Sequence, residues 1–136
     1  MSLDSVTIEV TTGAEAAAVD ITSEAARFVS GRADGLLSVF VPHATAGVAI
    51  FETGAGSDRD LVTHLETLFP RDGRWEHRHG SPGHGADHVL PAFIAPSITV
   101  PVLDGTLQLG TWQSIVLVDP NGDNPQRTVR LSFLPA

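Results

Sequence analysis

Histidine is concentrated in one short segment of the chain. Residues 75–88 read WEHRHGSPGHGADH and contain four of the six histidines in the sequence. Neutral imidazole is the commonest side-chain metal ligand and the usual acid or base near neutral pH. His84 and His88 are four residues apart, but Gly85 disfavours a helix there, and the segment does not match the helical HExxH zinc motif. A metal site and a solvated polar loop both remain open interpretations.

Two further reactive side chains flank a predicted strand. His43 lies in the segment VPHATAG, where Pro42 stiffens the chain and Gly47 lets the backbone pass close to a neighbour. Glu52 ends the strand that follows, and a carboxylate between an apolar strand and a glycine-rich turn is a candidate base or ligand. The alternatives are a turn histidine with a capping role and an exposed strand end.

The last third of the chain contains polar residues in apolar surroundings. In the segment LQLGTWQSIVLVD, a strand would point Trp112 and Gln113 to opposite faces. We therefore expect Gln113 in a polar pocket or at a subunit contact. Arg127 and Arg130 are three residues apart in the last predicted strand, so they tend to opposite faces. One of them could contact an anionic ligand, and the alternative is a pair of surface arginines.

The composition excludes several kinds of chemistry. The 136 residues include no cysteine, lysine or tyrosine, which removes thiolate, Schiff-base and phenolic catalysis as well as cysteine-bound zinc. A net charge of −8 disfavours a nucleic acid as partner. The sequence has no long apolar run and no basic-then-apolar signal at its N-terminus. We therefore expect a cytoplasmic protein without membrane association.

Hydrophobic periodicity predicts an α+β fold that is mainly β. We expect a single domain over residues 1–136, built as a β-sandwich of about eight mostly antiparallel strands with two or three helices. The predicted strands are residues 4–11, 35–42, 45–52, 98–103, 106–109, 111–119 and 127–133.

Three segments are predicted to be helical. They are residues 20–30, a segment that begins at Ser57, and residues 88–95. Ser57 and Asp60 fit a capping box at the start of the second helix. Its apolar face consists of Leu61, Leu65 and Leu68. Residues 71–87 are polar and rich in glycine, which predicts a long loop of the kind that usually carries function or is disordered.

The sequence resembles the YjbQ-like family, also named the secondary thiamine-phosphate synthase family. The most specific match is residues 97–115, SITVPVLDGTLQLGTWQSI, where a serine, alternating aliphatic residues, a glycine and the sequence LGTWQ follow the family pattern. Residues 43–52, HATAGVAIFE, match as well, and so do His77 and His88. His79 and His84 match no position of the pattern. Asp87 stands where the family usually has alanine.

The resemblance implies a β-sandwich that forms a homotrimer, with a pocket of histidine, carboxylate and glutamine near a subunit interface. It implies a metal or an anion at clustered histidines. It also implies a thiamine-phosphate synthase activity, which joins a pyrimidine diphosphate to a thiazole phosphate and releases pyrophosphate. On this basis the candidate catalytic residues are His43, Glu52, Gln113 and Arg127, and the candidate metal ligands are His43, His77 and His88.

The predicted ligands bear on the identity of the metal. Mg²⁺ would assist the loss of pyrophosphate but prefers oxygen ligands, whereas three histidines suit Zn²⁺ or a similar ion. We expect His43, His77 and His88 to converge, with Glu52 nearby as ligand or base, beside a small phosphorylated substrate. Two other functions stay open: a non-catalytic trimer that binds a metal or small anion, and a metal-dependent hydrolase unrelated to thiamine.

Overall fold

The computed structural model describes residues 3–136, and within that range it contains eight strands and three α-helices. The strands are β1 (Asp4–Thr11), β2 (Ala17–Asp20), β3 (Gly35–Phe40), β4 (Gly47–Phe51), β5 (Ser97–Leu103), β6 (Thr106–Leu107), β7 (Ser114–Asp119) and β8 (Gln126–Pro135). The helices are α1 (Thr22–Val29), α2 (Ser57–Leu68) and α3 (Gly85–Val89), and a 3₁₀ turn, Leu90–Ala92, continues α3. The predicted mainly β fold with helices is confirmed.

The strands form two antiparallel sheets. The larger sheet has the order β1-β8-β3-β5-β6 and the smaller one the order β2-β7-β4. In the larger sheet β8 lies between β1 and β3, with Asp4 opposite Phe133 on one side and Leu37 opposite Phe133 on the other. In the smaller sheet β7 pairs with β2 and with β4.

The inner faces of the two sheets and one face of α1 enclose the main hydrophobic core. Strand alternation buries Leu37 and Val39 of β3 completely, while Leu36 and Phe40 remain exposed on the other face. From α1 and its N-terminal end the core receives Ile21, Ala25 and Val29. Each large aliphatic side chain buried in this way contributes about 1.5–3 kcal/mol relative to the exposed state.

The smaller sheet is covered on both faces. On the side away from the main core, Leu65 of α2 and Leu90 of the 3₁₀ turn pack on Val116 and Val118 of β7. Accordingly, β7 is buried over its last five residues. This second core fixes α2 and α3 as a third layer, and the histidine-rich segment lies in the connection between these helices. None of the helices within residues 3–136 has the length and apolar character needed to cross a bilayer.

Strand β7 begins later than the sequence predicts. The predicted strand 111–119 starts only at Ser114, so Trp112 and Gln113 precede the strand and do not alternate across it. Gln113 holds this turn closed, because its Oε1 accepts a hydrogen bond from the Gly110 N–H at 2.7 Å. Gln113 is exposed in the single chain and so does not lie in an intramolecular polar pocket, and a subunit contact stays a prediction.

The N-terminus of α2 also differs from the prediction. Its N-cap is Gly56 in a left-handed conformation, with no side-chain cap hydrogen bond, so the capping box of Ser57 and Asp60 is absent. At the other end of α2, Leu68 is 69% exposed and does not pack in the core with Leu65. The helix thus buries a narrower apolar stripe than its leucine spacing predicts.

Candidate metal centre

The histidine-rich segment is held against α2 and α3 by a few close contacts. The Trp75 Nε1–H donates to the carbonyl oxygen of Pro70 at 2.7 Å, which fixes the segment to the end of α2. Gly85, the first residue of α3, has no room for a side chain: a Cβ there would lie 2.6 Å from Trp75 Cβ and 2.8 Å from the His77 carbonyl oxygen. A glycine is therefore required where α3 approaches the segment.

Three histidines present their ring nitrogens to one point. One nitrogen from each of His77, His79 and His88 lies within 4.8 Å of the other two. The ring centres of His77 and His79 are 3.9 Å apart, and those of His77 and His88 are 4.1 Å apart. Metal–nitrogen bonds of about 2.0–2.1 Å place two ligand nitrogens about 3.3–3.4 Å apart, so the three rings would have to close by at most about 1.5 Å to hold a single ion.

His84 lies beside this group through a helical turn that the sequence did not predict. It is the N-cap residue of α3, so its spacing of four residues from His88 places the two rings on one side of the helix. Nε2 of His84 is 3.0 Å from Nε2 of His88. Glycine usually disfavours a helix. Here the close packing of α3 against Trp75 leaves no room for a larger residue at position 85.

Two carboxylates face the other nitrogen of His84. Nδ1 of His84 lies 3.3 Å from Asp123 Oδ2 and 3.5 Å from Asp87 Oδ2, and His84 is only 8% exposed. Arg71 donates to Asp87 Oδ2 and to Ser81 Oγ. Burial raises the pKa of Asp87, although the hydrogen bond and charge of Arg71 act in the opposite direction. The carboxylates favour a proton on Nδ1 of His84, which leaves the lone pair on Nε2.

Two of the clustered rings are held in the neutral form that binds metals. Burial lowers the pKa of His77, and the neighbouring His79 and His84 lower it further. Burial also lowers the pKa of His88, and the other three rings act in the same direction. Both rings therefore keep a lone pair for a ligand at neutral pH.

The donor atoms of the cluster suit a borderline transition-metal ion. Nδ1 of His77 is shielded from solvent and has no hydrogen-bond partner within residues 3–136. Buried polar atoms without a partner are uncommon in folded proteins and often mark an ion or an ordered water. An all-imidazole set fits Zn²⁺ or Ni²⁺ and does not offer the oxygen ligands that Mg²⁺ prefers.

A cavity of about 370 Å³ opens beside the cluster. Arg71, Arg78, Trp75 and the rings of His77 and His84 are among the residues that line it. Arg71 is already paired with Asp87, whereas Arg78 takes part in no salt bridge within the described part of the chain. The cavity can thus offer a positive charge to an anion, although the net charge of the chain is −8.

His43 lies outside this cluster, beside the start of β8. Its Nε2 accepts a hydrogen bond from the Thr128 N–H at 2.9 Å and lies 3.1 Å from Thr128 Oγ1. Burial and the charge of Arg127 lower the pKa of His43. Because Nε2 accepts from an amide, the neutral ring carries its proton on Nδ1 and has no free lone pair for a metal. Within one chain, His43 is therefore not part of the group of His77, His79 and His88, and its convergence with His77 and His88 stays a prediction.

Arg127 is buried in a structural ion pair. Its Nε and Nη2 donate to the two carboxylate oxygens of Asp119 at 2.7 and 2.9 Å, and Nη2 also donates to Thr45 Oγ1 at 2.8 Å. Arg127 is 2% exposed and Asp119 is 1% exposed. This bidentate pairing with Asp119 occupies the guanidinium group, so Arg127 has a structural role. Arg130 is exposed, so the prediction that the two arginines face opposite sides of β8 is confirmed.

Glu52 and Gln113 lie at the end of β4 opposite to His43. The register of β4 with β7 brings both residues to the same end of the smaller sheet, where Glu52 is half-buried. With a rise of about 3.3 Å per residue, the five residues of β4 separate the positions before and after it by roughly 16–20 Å. Within one chain, Glu52 therefore lies away from His43, and the predicted residues occupy three separate places.

His79 and His84 are members of the cluster that the family pattern does not predict. Both lie among glycines, and neither matches a position of that pattern. The spacing of four residues between His84 and His88 is typical of one helix face and was the available signal for His84. For His79 the sequence gives no comparable signal, because residues 79–84 form bends and turns without a regular periodicity.

Two antiparallel sheets, a covering helical layer and a histidine cluster in its connecting segment define a small α+β protein with a candidate metal centre. Residues 6–136 match the model of a family described as UPF0047 protein YjbQ-like. The chain belongs to this family.

Relatives in several organisms cover most of the chain. A UPF0047 protein of Mycobacterium bovis is 67% identical over 116 residues, which are 85% of this chain and 90% of the relative. The UPF0047 protein YugU of Bacillus subtilis is 32% identical over 123 residues, which are 85% of this chain and 89% of YugU. These names assign no activity.

Solved structures share the whole fold. A crystal structure from Sulfolobus solfataricus, described as a YbjQ-like protein of unknown function, superposes with a TM-score of 0.90 at 28% identity and covers 99% of both chains. A hypothetical protein from Aeropyrum pernix superposes with a TM-score of 0.88 at 33% identity, covering 98% of this chain and 99% of that one. The YjbQ-like fold predicted from the sequence is thereby confirmed.

Proposed function

We propose that the chain is a metal-dependent enzyme that acts on a small phosphorylated substrate. The observation that carries the proposal is the convergence of ring nitrogens from His77, His79 and His88 within 4.8 Å of one another. These residues would hold Zn²⁺ or a similar ion. Such an ion, when bound, supplies Lewis-acid polarisation of a phosphoryl oxygen.

The cavity beside the cluster supports a phosphorylated substrate. Arg78 would bind a phosphate group as an unpaired cation, and Arg71, fixed by Asp87 and Ser81, would shape the wall of the cavity. The indole of Trp75 lines the same cavity and could stack on a heterocycle. Positive charge and a flat apolar surface together suit a heterocyclic phosphate.

The type of reaction comes from the family resemblance. A thiamine-phosphate synthase forms a bond between the pyrimidine methylene carbon and the thiazole nitrogen while the carbon–oxygen bond to the diphosphate breaks and pyrophosphate leaves. Arg78 would neutralise the charge that grows on this leaving group. His43, Glu52, Gln113 and Arg127 lie apart from the cluster within one chain, so their proposed catalytic roles rest on the resemblance alone.

Metal binding is tested first, by elemental analysis of the purified chain. We expect about one equivalent of a transition metal in the wild type, and loss of that metal in His77→Ala and in His88→Ala. His64→Ala removes an exposed histidine of α2 and is the matched control. His43→Ala is also expected to retain the metal. Full retention of the metal in both His77→Ala and His88→Ala would reject the site.

Turnover is tested on the metal-loaded chain with the pyrimidine diphosphate and the thiazole phosphate. We expect thiamine phosphate and pyrophosphate as products, and loss of both in His88→Ala. Release of phosphate from generic phosphoesters without coupling would instead identify a hydrolase. Tight metal retention without turnover on either set of substrates would identify a non-catalytic metal-binding protein.

Self-association as a homotrimer is a further part of the proposal. The resemblance implies it, and large apolar side chains on the surface support it. On the outer face of the larger sheet, Leu36 of β3 pairs with Leu134 of β8, and they are 41% and 53% exposed. Sedimentation analysis should give the mass of three chains, and a stable monomer would contradict the proposal.

A further inference from the structure

We propose that His84 is a fourth metal ligand, so that the centre is formed by four histidines. The inference rests on the proposed function, because it requires the ion assigned to His77, His79 and His88. It adds a residue that the family pattern does not contain, and it specifies how the site is completed.

The four rings pack as one closed group. The six distances between their ring centres range from 3.9 to 5.8 Å. In a tetrahedral four-imidazole site, metal–nitrogen bonds of about 2.0–2.1 Å place the ring centres about 5 Å from one another. The His84 ring centre is 4.7 Å from that of His88, 5.6 Å from that of His79 and 5.8 Å from that of His77. This is the position of a fourth corner.

The nitrogen atoms of His84 and His88 are already at nearly the separation of two ligands. Their Nε2 atoms are 3.0 Å apart. Two ligand atoms on a tetrahedral zinc ion are about 3.3–3.4 Å apart, given bonds of about 2.0–2.1 Å. One of the two nitrogens carries the proton of their hydrogen bond. Binding of the ion would displace that proton and separate the two nitrogens by a few tenths of an ångström.

The other side of the His84 ring is arranged as for a metal ligand. Metal-bound histidines usually direct their second nitrogen to a carboxylate, which fixes the tautomer and strengthens the ligand. Nδ1 of His84 lies 3.3 Å from Asp123 and 3.5 Å from Asp87, and this nitrogen is shielded from solvent without a well-aligned hydrogen bond. Arg71 holds Asp87 in place. These contacts leave Nε2 of His84 as the coordinating atom.

Four protein ligands would complete a tetrahedral ion. A substrate could then reach the ion only as a fifth ligand, as some zinc ions allow. We therefore expect the four-histidine site to retain the metal more strongly than a site with three histidines and a water would.

The test counts the histidines that bind Zn²⁺, by ¹⁵N NMR of the histidine-labelled chain titrated with Zn²⁺ alone after chelation. We expect the ring nitrogens of His77, His79, His84 and His88 to shift together at one equivalent. His43 and His64 serve as internal controls and should not shift. Chelator competition should show an affinity loss of tenfold or more in His84→Ala, and about 10–100-fold in Asp87→Asn, which keeps the shape of the side chain.

The outcomes separate this inference from the proposed function. If Zn²⁺ binds while the His84 signal stays in place and His84→Ala keeps full affinity, the fourth ligand is rejected and the three-histidine centre stands. If the wild type takes up no Zn²⁺, the proposed function fails and this inference fails with it. If the circular-dichroism spectrum shows that His84→Ala is unfolded, the number of wild-type histidines whose signals shift decides by itself whether His84 is a ligand.

Discussion

His43 and His84 each acquire a role from the contact made by one of their two ring nitrogens. In His43 the backbone of Thr128 occupies Nε2, so the ring serves as a fixed hydrogen-bond acceptor. In His84 two carboxylates face Nδ1, so Nε2 is left with a lone pair beside His88. The same side chain is therefore structural in one place and a candidate ligand in the other, a difference that residue type alone does not reveal.

The pH dependence of stability should reflect His43. Its pKa in the folded chain is below the ordinary value of 6.5. The unfolded chain therefore takes up the proton first as pH falls, and the stabilising contribution is present above about pH 6.5 and lost below it. In His43→Gln an amide oxygen can still accept from Thr128 but does not titrate. We expect its unfolding free energy, measured with urea, to fall less steeply between about pH 7 and about pH 5.

The control for this prediction is His64→Gln, since His64 is exposed on α2. It should retain the wild-type pH dependence. Parallel curves for His43→Gln and the wild type would show that His43 does not contribute.

Breaking the ion pair between Arg127 and Asp119 should lower the unfolding free energy of the chain. Asp119→Ala leaves a buried guanidinium group without its partner, which costs about 3–5 kcal/mol, because the remaining charge is not solvated. The matched control is Asp72→Ala, which removes the exposed partner of Arg74 and should change the urea midpoint little. An unchanged midpoint in Asp119→Ala would refute the structural role of this pair.

At the scale of elements, the strands were easier to predict than the turns and the short helix. The period-two pattern of β1 gave its observed limits, Asp4–Thr11, because one face of the strand is exposed and the other packs inward. The start of β7 was misplaced because the Gln113 side chain closes a turn with Gly110, a contact that hydrophobic periodicity does not encode. Strand β2 is only four residues long and was not predicted at all.

The site was only partly predictable for a related reason. His77 and His88 were identified through the family pattern, and the structure brings these two together. His79 and His84 join them because Gly85 lets α3 pack against Trp75. The spacing of four residues indicates the pair of His84 and His88, whereas the position of His79 depends on the fold of the whole segment, which spacing along the chain does not show.

This packing leads to a prediction for Gly85→Ala. The added methyl group would meet Trp75 Cβ at 2.6 Å, so either α3 or the histidine segment must move. We expect a loss of about 1–3 kcal/mol in stability from overpacking. Because the movement separates the ligands, Zn²⁺ affinity measured by chelator competition should fall about tenfold or more.

The matched control is Gly73→Ala, in the same segment, where a Cβ would have no neighbour within 4 Å. It should keep both the stability and the affinity of the wild type. Equal Zn²⁺ affinity in Gly85→Ala would mean that the close approach of α3 does not position the ligands.

At the scale of the whole molecule, the histidine cluster joins two parts of the helical layer that α2 and α3 form. His88 belongs to α3 and His84 is its N-cap residue, while His77 and His79 belong to the segment that leaves α2. An ion bound by both parts would therefore close the connection between the two helices. Since the unfolded chain does not assemble these ligands, ion binding must add to the stability of the fold.

We accordingly predict that Zn²⁺ raises the unfolding temperature of the chain. At a free concentration of 100 times Kd, one site adds about 2.7 kcal/mol to the unfolding free energy. Mg²⁺ at the same concentration should have no effect, because the cluster offers nitrogen ligands. Calorimetry of the wild type and of His77→Ala checks this, and an equal shift in both would place the Zn²⁺ effect elsewhere on the chain.

The two tryptophans of the chain lie in very different surroundings. Trp75 packs between Pro70 and the start of α3, on the wall of the candidate site. Trp112 is 72% exposed. The intrinsic fluorescence should therefore have two components, a blue one emitted at shorter wavelength by Trp75 and a red one emitted at longer wavelength by Trp112. Acrylamide should quench the red component. A paramagnetic ion such as Co²⁺ in the histidine cluster would quench the blue component, so the chain contains its own optical reporter of occupancy.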